Sequence, residues 1–269
     1  MNALVQALGG EAALLRHLAM GALVAARVLP LFLLTPWLVT RSLPSPLRTA
    51  VGLVLAAAFV PLAEQHALST PSGALLVLAM VREATVGFVF ATAAALPFFA
   101  FDWAGRMADL FRGAGVLDVL SPGSNERTSP LGNLLMMFSV CVFFAIGGHR
   151  LFLNAFGDAF ASLPVGSLLH ATELRATSLL VLRLVADAFA LSISLTAPVM
   201  VTILALDVGL GLWARSAPQV PVFFAGMPMR AFVGVLAVAL LAGLMLREMP
   251  HLFQSAIRTA KDTLLGFGN

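Results

Sequence analysis

The residues of this chain whose types and spacing could carry chemistry are charged side chains set within apolar sequence. Asp102, Arg106, Asp109 and Arg112 follow at steps of four, three and three, which strings alternating charges along one side of a helix. Arg183 and Asp187 stand four apart on one helix face, where they can pair. Asp207, Arg215 and Arg230 are embedded in the apolar run 197–230, and Arg27 lies midway through the first apolar region with no acid nearby. In a bilayer such groups line polar passages or relay protons. The competing reading is a set of self-neutralising ion pairs that let a helix leave the membrane or dock on a neighbour. The 102–112 stripe fits the second reading better, whereas Arg183 and Asp187 fit either. Arg27 needs a partner from elsewhere in the chain or from another subunit.

Enzyme chemistry finds little support. A phosphate-binding loop needs glycine-rich backbone followed by Lys-Ser/Thr, and the single lysine, Lys261, follows Ala260. No Gly-x-Ser-x-Gly elbow offers a serine nucleophile. The five histidines (His17, His66, His149, His170 and His251) lie in different regions without a partner one helical turn away, so no metal site is expected. Cys141 is alone within an apolar run, which excludes an internal disulfide and reads as a buried, inert thiol. The 15 arginines are scattered singly, unlike the clustered basic face of a nucleic-acid binder. No enzyme, cofactor or nucleic-acid partner is expected.

The elements that must position these charges are helices. Hydrophobic residues make up 60% of the 269 positions and charged residues 11%, against about a quarter charged in soluble domains; mean hydropathy is +0.97. Six apolar regions can be marked, at roughly 18–36, 49–63, 74–101, 131–148, 176–206 and 216–246. No polar block is long enough to form a soluble domain, so residues 1–269 read as one helical membrane unit. Spanning a bilayer takes about 20 apolar residues. The stretches 49–63 and 231–246 offer only 15 and 16 uncharged residues, about 22–24 Å as helix. The third and fifth regions are long enough but are interrupted by Arg82–Glu83 and by Arg183 with Asp187. Poor independent spans of this kind suit broken helices and hairpins covered by other proteins. No basic residue precedes Arg16, so a cleavable leader is not expected. Six basic residues against six on the two sides give no orientation.

Proline and glycine mark where the helices should bend or turn: Pro198, Gly209, Gly211, Pro218 and Pro228. Such breaks are tolerated in a membrane where protein or a watery passage covers the freed backbone. Small residues at contact spacing, Gly87, Ala91 and Ala95 and again Ala186, Ala190 and Ser194, argue for close helix packing. The pairs Phe98–Phe99, Phe143–Phe144 and Phe223–Phe224 read as core or subunit contacts. The loop 113–130 opens small and apolar at Gly113, Ala114, Gly115, Val116 and Leu117, then turns polar. It fits a segment folded into a passage and sealing it, or a simple interhelical loop.

The motifs AGRMADLFRG at 104–113, SPLGNLLMMF at 129–138, FFAIGGHRLF at 143–152 and LDVGLGLWARSAPQVPVFFAGMPMR at 206–230 resemble the FliR/SctT family of flagellar and injectisome type III export apparatus. The likeness runs in order from Arg27 to Arg230, and Asp109–Gly113 with Ser-Pro-Leu-Gly at 129–132 look more like the SctT branch. Arg230 stands where many relatives carry lysine, with the charge kept. The resemblance implies an all-α subunit packed into a multi-subunit helical export gate in the bacterial inner membrane, part of it on the periplasmic side. It implies SctR and SctS homologues as partners, SctU and SctV as neighbours, unfolded secreted polypeptides as cargo, and a plug loop at 113–130. The rival from the residues alone is a secondary transporter using Arg183, Asp187 and Asp207 as its polar centre.

Overall fold

A computed structural model describes residues 11–38, 44–67, 73–113, 129–166, 171–217, 219 and 222–265. Among them the chain forms helices and no strand: α1 (Glu11–Leu34), α2 (Ser45–His66), α3 (Ala74–Phe111), α4 (Pro130–Ala145), α5 (Gly148–Ser162), α6 (Ala171–Ser216) and α7 (Val222–Leu265). It is an all-α membrane protein. Among the described residues four stretches, Leu14–Leu34, Thr49–His66, Ala74–Phe111 and Thr177–Ser216, are long and apolar enough to cross a bilayer, and α4 with α5 adds a fifth if the broken pair is one span.

Helix ends follow local chemistry. Ser129 caps α4 by accepting from Gly132 N–H, and Pro130 occupies the first helical position, where its missing N–H costs nothing. Gly113 (φ +80°) stops α3 in the left-handed conformation, and Gly147 (φ +71°) separates α4 from α5.

The chain divides into two compact units interleaved along the sequence. One comprises Met1–Ala95, Gly147–Leu184 and Gln254–Asn269; the other comprises Leu96–Ile146 and Val185–Phe253. The boundaries at 95/96, 184/185 and 253/254 fall inside α3, α6 and α7, so no polar linker announces them.

In the first unit, α1 packs on α2, and α2 on α5. Met20, Leu23, Val24, Val28 and Leu31 of α1, Phe90 of α3, and Phe152, Phe156 and Phe160 of α5 are fully buried. Phe59 stacks on Phe160 at 5.4 Å between centroids and meets Phe156 edge-on at 5.2 Å. Of the small residues expected at helix contacts, Gly87 does lie against a neighbouring backbone: a Cβ there would come within 1.9 Å of the Arg27 carbonyl oxygen.

In the second unit, Phe98, Phe143 and Phe253 cluster with centroids 4.6–5.2 Å apart. Phe144 and Phe224 are exposed. Ala186, Ala190 and Ser194 are exposed too, against the close helix packing expected of that stripe. Cys141, expected buried, is exposed, because α4 buries the face carrying Leu131, Leu135, Ser139, Val142 and Phe143 instead.

The turns expected at Pro198, Gly209, Gly211 and Pro228 are absent. Pro198, Gly209 and Gly211 lie inside α6 and Pro228 inside α7. Proline removes one helical hydrogen bond there without ending the helix, and the Thr202 hydroxyl donates to the Pro198 carbonyl at 2.7 Å. Among the described residues of 197–230 the helix is interrupted only between α6 and α7; Pro218, expected as a turn, lies outside the described residues.

Candidate functional site: a carboxylate-tied helix junction

The spacing of Asp102, Arg106, Asp109 and Arg112 puts two acid-first pairs on the last turns of α3. Asp102 Oδ2 accepts from Arg106 Nε at 2.7 Å, and Asp109 Oδ1 accepts from Arg112 Nε at 2.6 Å. Asp109 does more than pair. Its Oδ2 also accepts from Ser129 Oγ at 2.5 Å and from Leu131 N–H at 2.9 Å. Because Pro130 has no N–H, Leu131 and Gly132 offer the first orphan amides of α4. Asp109 takes one and Ser129 takes the other. A buried carboxylate at a helix N-terminus also meets the positive end of the helix dipole.

One turn earlier, α3 and the start of α4 touch through backbone. A Cβ on Gly105 would lie 2.6 Å from the Gly132 Cα and nitrogen, and one on Gly132 would lie 3.1 Å from the Asp102 carbonyl oxygen. The chain therefore leaves α3 at Gly113 and re-enters α4 at Ser129 beside a joint built from Asp109, Ser129, Gly105 and Gly132. Of the loop residues singled out from sequence, Gly113 is the helix-ending glycine. Ala114, Gly115, Val116 and Leu117 lie outside the described residues.

The first unit holds a second charged centre. Arg27 and Glu83 are both 0% exposed, and Arg27 Nε and Nη2 lie 2.5 Å from Glu83 Oε2. Arg27 Nη2 also donates to the Leu163 carbonyl at 2.9 Å, and its guanidinium carbon sits 4.4 Å from the centre of the Phe160 ring. Glu83 is further approached by Arg82 and by Gly166 N–H, each at 3.4 Å. One carboxylate thus serves two guanidinium groups and ties α1, α3 and the segment after α5 together.

The remaining charges divide. Asp207 and Arg230, on α6 and α7 of the second unit, pair at 2.6 Å and are 36% and 37% exposed. The pair expected between Arg183 and Asp187 does not form: both are exposed, and neither bonds a described residue. The order of the charges accounts for it. A base one turn before an acid is the less favourable arrangement, and an exposed pair gains only about 0.3–0.5 kcal/mol. Arg215 is exposed in the last turn of α6, where a cation suits the negative helix end. Among the described residues no group of three or more His, Cys, Asp or Glu could hold a metal ion.

Sequence reasoning missed Glu83 as the partner of Arg27, Ser129 as a cap, and the contact of Gly105 with Gly132. Signals were available for two of them. Glu83 is the sole acid inside an apolar stretch before Asp102, and Ser-Pro ahead of an apolar run marks a helix start. Nothing in the spacing brings Gly105 to Gly132.

Four long apolar helical stretches among the described residues, with buried charges such as Arg27, Glu83 and Asp109 bonded within the chain, define a multi-pass membrane protein. Residues 18–256 match the family described as "Bacterial export proteins, family 1", and the chain belongs to it. Among its relatives is "Secretion system apparatus protein SsaT" of Salmonella typhimurium strain LT2, 32% identical over 216 residues, 79% of this chain and 82% of that one. "Flagellar biosynthetic protein FliR" of Escherichia coli K12 is 26% identical over 239 residues, 88% and 90% of the two chains. "Yop proteins translocation protein T" of Yersinia pestis is 28% identical over 165 residues, 61% of this chain and 63% of that protein.

Proposed function

We propose that this chain is a non-enzymatic subunit of the inner-membrane export gate of a bacterial type III secretion system. In this reading it assembles with SctR and SctS homologues, beside SctU and SctV homologues, into the entry portal for unfolded secreted proteins. The observation that carries the proposal is the family match across 18–256, with relatives named for flagellar biosynthesis, protein translocation and secretion. The greater identity to the secretion relative than to the flagellar one, 32% against 26%, favours the injectisome branch.

The low burial of two spanning stretches fits a chain covered by other chains or by lipid. Only 11% of Thr49–His66 and 22% of the window in Thr177–Ser216 are buried within the chain, and large exposed apolar faces mark membrane or protein contacts. The rival permease loses support from the same geometry. Asp207 is engaged by Arg230, and Arg183 and Asp187 stand on the exposed surface.

The mechanism proposed is steric and hydrophobic. The loop 113–130 acts as a plug whose small apolar opening residues exclude water and ions until cargo displaces them. Co-expression with SctR and SctS homologues should give one complex of several chains. A chain that purifies alone and transports a small solute in vesicles overturns the proposal.

A further inference from the structure

We infer that Asp109 is the positioning residue that keeps the end of α3 and the start of α4 joined during transport, so that these two helices move as one body. The inference rests on the export reading above for its assay, and it uses none of residues 114–128.

Four observations carry it. Asp109 is buried, and its two oxygens receive three donors: the Arg112 guanidinium, the Ser129 hydroxyl and the Leu131 amide. The last two belong to the chain's return into α4, 20 and 22 residues further on. The two donors from the α4 side would lose this acceptor if the joint opened. The Leu131 amide has no helical partner, and Arg112 is packed where a Cβ on Gly234 of α7 would come within 3.1 Å of its own Cβ. Asp109 itself would keep Arg112 but lose both helix-capping donors, and a carboxylate stripped of hydrogen bonds at a buried site is unfavourable. One turn back, the contact of Gly105 with the Gly132 backbone leaves no room for a side chain.

Alternating charge on a helix end needs none of this: Asp102 and Arg106 satisfy the same spacing within α3 alone. Asp109 is distinguished by reaching across to another helix. Any rearrangement that passes a polypeptide through the assembly is then taken up elsewhere than at this joint.

The test uses a secreting strain in which the native subunit is replaced by a Cys141→Ala chain, or by the same chain carrying Asp109→Cys and Ser129→Cys. The assembled complex is treated with a short, reducible bis-methanethiosulfonate bridge. Unbridged, the double cysteine chain should secrete at least tenfold less than its parent while still co-purifying with the complex. Bridging should return secretion to within about twofold of the parent, and reductant should remove the gain. Because the complex is assembled before treatment, reversible rescue reports position and not folding.

Full secretion without the bridge, a bridge that forms and blocks or fails to restore secretion, or a bridge that cannot form each overturns the inference. Should the double cysteine chain not assemble, Ser129→Thr must secrete like the parent while Ser129→Ala falls several-fold; equal behaviour of the two overturns it equally. Failure of the export reading shows separately, as secretion that persists when the whole subunit is deleted.

Discussion

Replacing Glu83 by leucine should be the most damaging single change in the first unit. Arg27 is 0% exposed, and without Glu83 its guanidinium keeps only the Leu163 carbonyl at 2.9 Å, a long contact to the Ala159 carbonyl at 3.3 Å, and the face of Phe160. Removing one member of a buried pair costs about 3–5 kcal/mol, against a whole-domain stability of roughly 5–15 kcal/mol. Replacing Arg27 by methionine should cost less. Glu83 would still hold Arg82 and Gly166 N–H at 3.4 Å, so the loss should sit at the lower end of the same range, about 3 kcal/mol.

The double change Arg27→Met with Glu83→Leu should be milder than Glu83→Leu alone. It leaves Arg82 without that carboxylate and removes the donor to the Leu163 carbonyl. The Ala159 carbonyl keeps a donor in Leu163 N–H at 2.9 Å. An unsatisfied buried carbonyl costs about 1–3 kcal/mol. Denaturant midpoints in one fixed detergent, for the parent, both singles and the double, give the coupling directly. A double variant as destabilised as the two singles summed would refute the reasoning, since the two residues would then act independently.

Other expectations follow from single contacts. Gly87→Ala should lower thermal stability by about 3 kcal/mol or more, since its Cβ would lie 1.9 Å from a backbone oxygen, whereas Gly21→Ala, with nothing within 4 Å, should be neutral or stabilising; equal midpoints for the two would contradict the packing described. Arg183→Ala and Asp187→Ala should show a coupling under about 0.5 kcal/mol in a double-mutant cycle, because the two side chains do not bond. Exchanging Asp207 and Arg230 for one another should restore co-purification lost in either single reversal, and no restoration would show that one of them meets another chain. Shortening 113–124 to a minimal linker should raise ion leakage through the assembled complex, and unchanged leakage counts against the plug.

Spacing disclosed a charge's partner where that partner lay within one helical turn and acid came first. Asp102 with Arg106 and Asp109 with Arg112 were legible for that reason, and so was the all-helical membrane fold, which follows from composition and segment length. Arg183 with Asp187 has the same spacing in the reverse order and forms no bond. Periodicity says that two residues share a face and is silent on whether that face is covered. Glu83 is 56 residues from Arg27, and Ser129 is 20 from Asp109, so their meeting is a product of helix packing and not of local pattern. Proline misled in the opposite direction. In water an interior proline ends a helix at a cost of about 3 kcal/mol, but Pro198 and Pro228 are carried inside α6 and α7. An apolar surrounding offers the backbone nothing better than the helix it already has.

The charges of this chain therefore sort by what the fold can offer them. Arg27, Glu83 and Asp109 are buried and find two or more partners each, drawn from separate helices. Asp207 and Arg230, about one-third exposed, find one another. Arg183, Asp187 and Arg215 are exposed, and no described residue bonds them. In an apolar surrounding a lone charge is costly. The first group holds this chain's own helices in register, and its loss should appear as instability of the subunit itself. The last group has nothing to lose inside the chain. Its substitution should leave subunit stability within about 0.5 kcal/mol of the parent and be felt, if anywhere, in what the subunit joins.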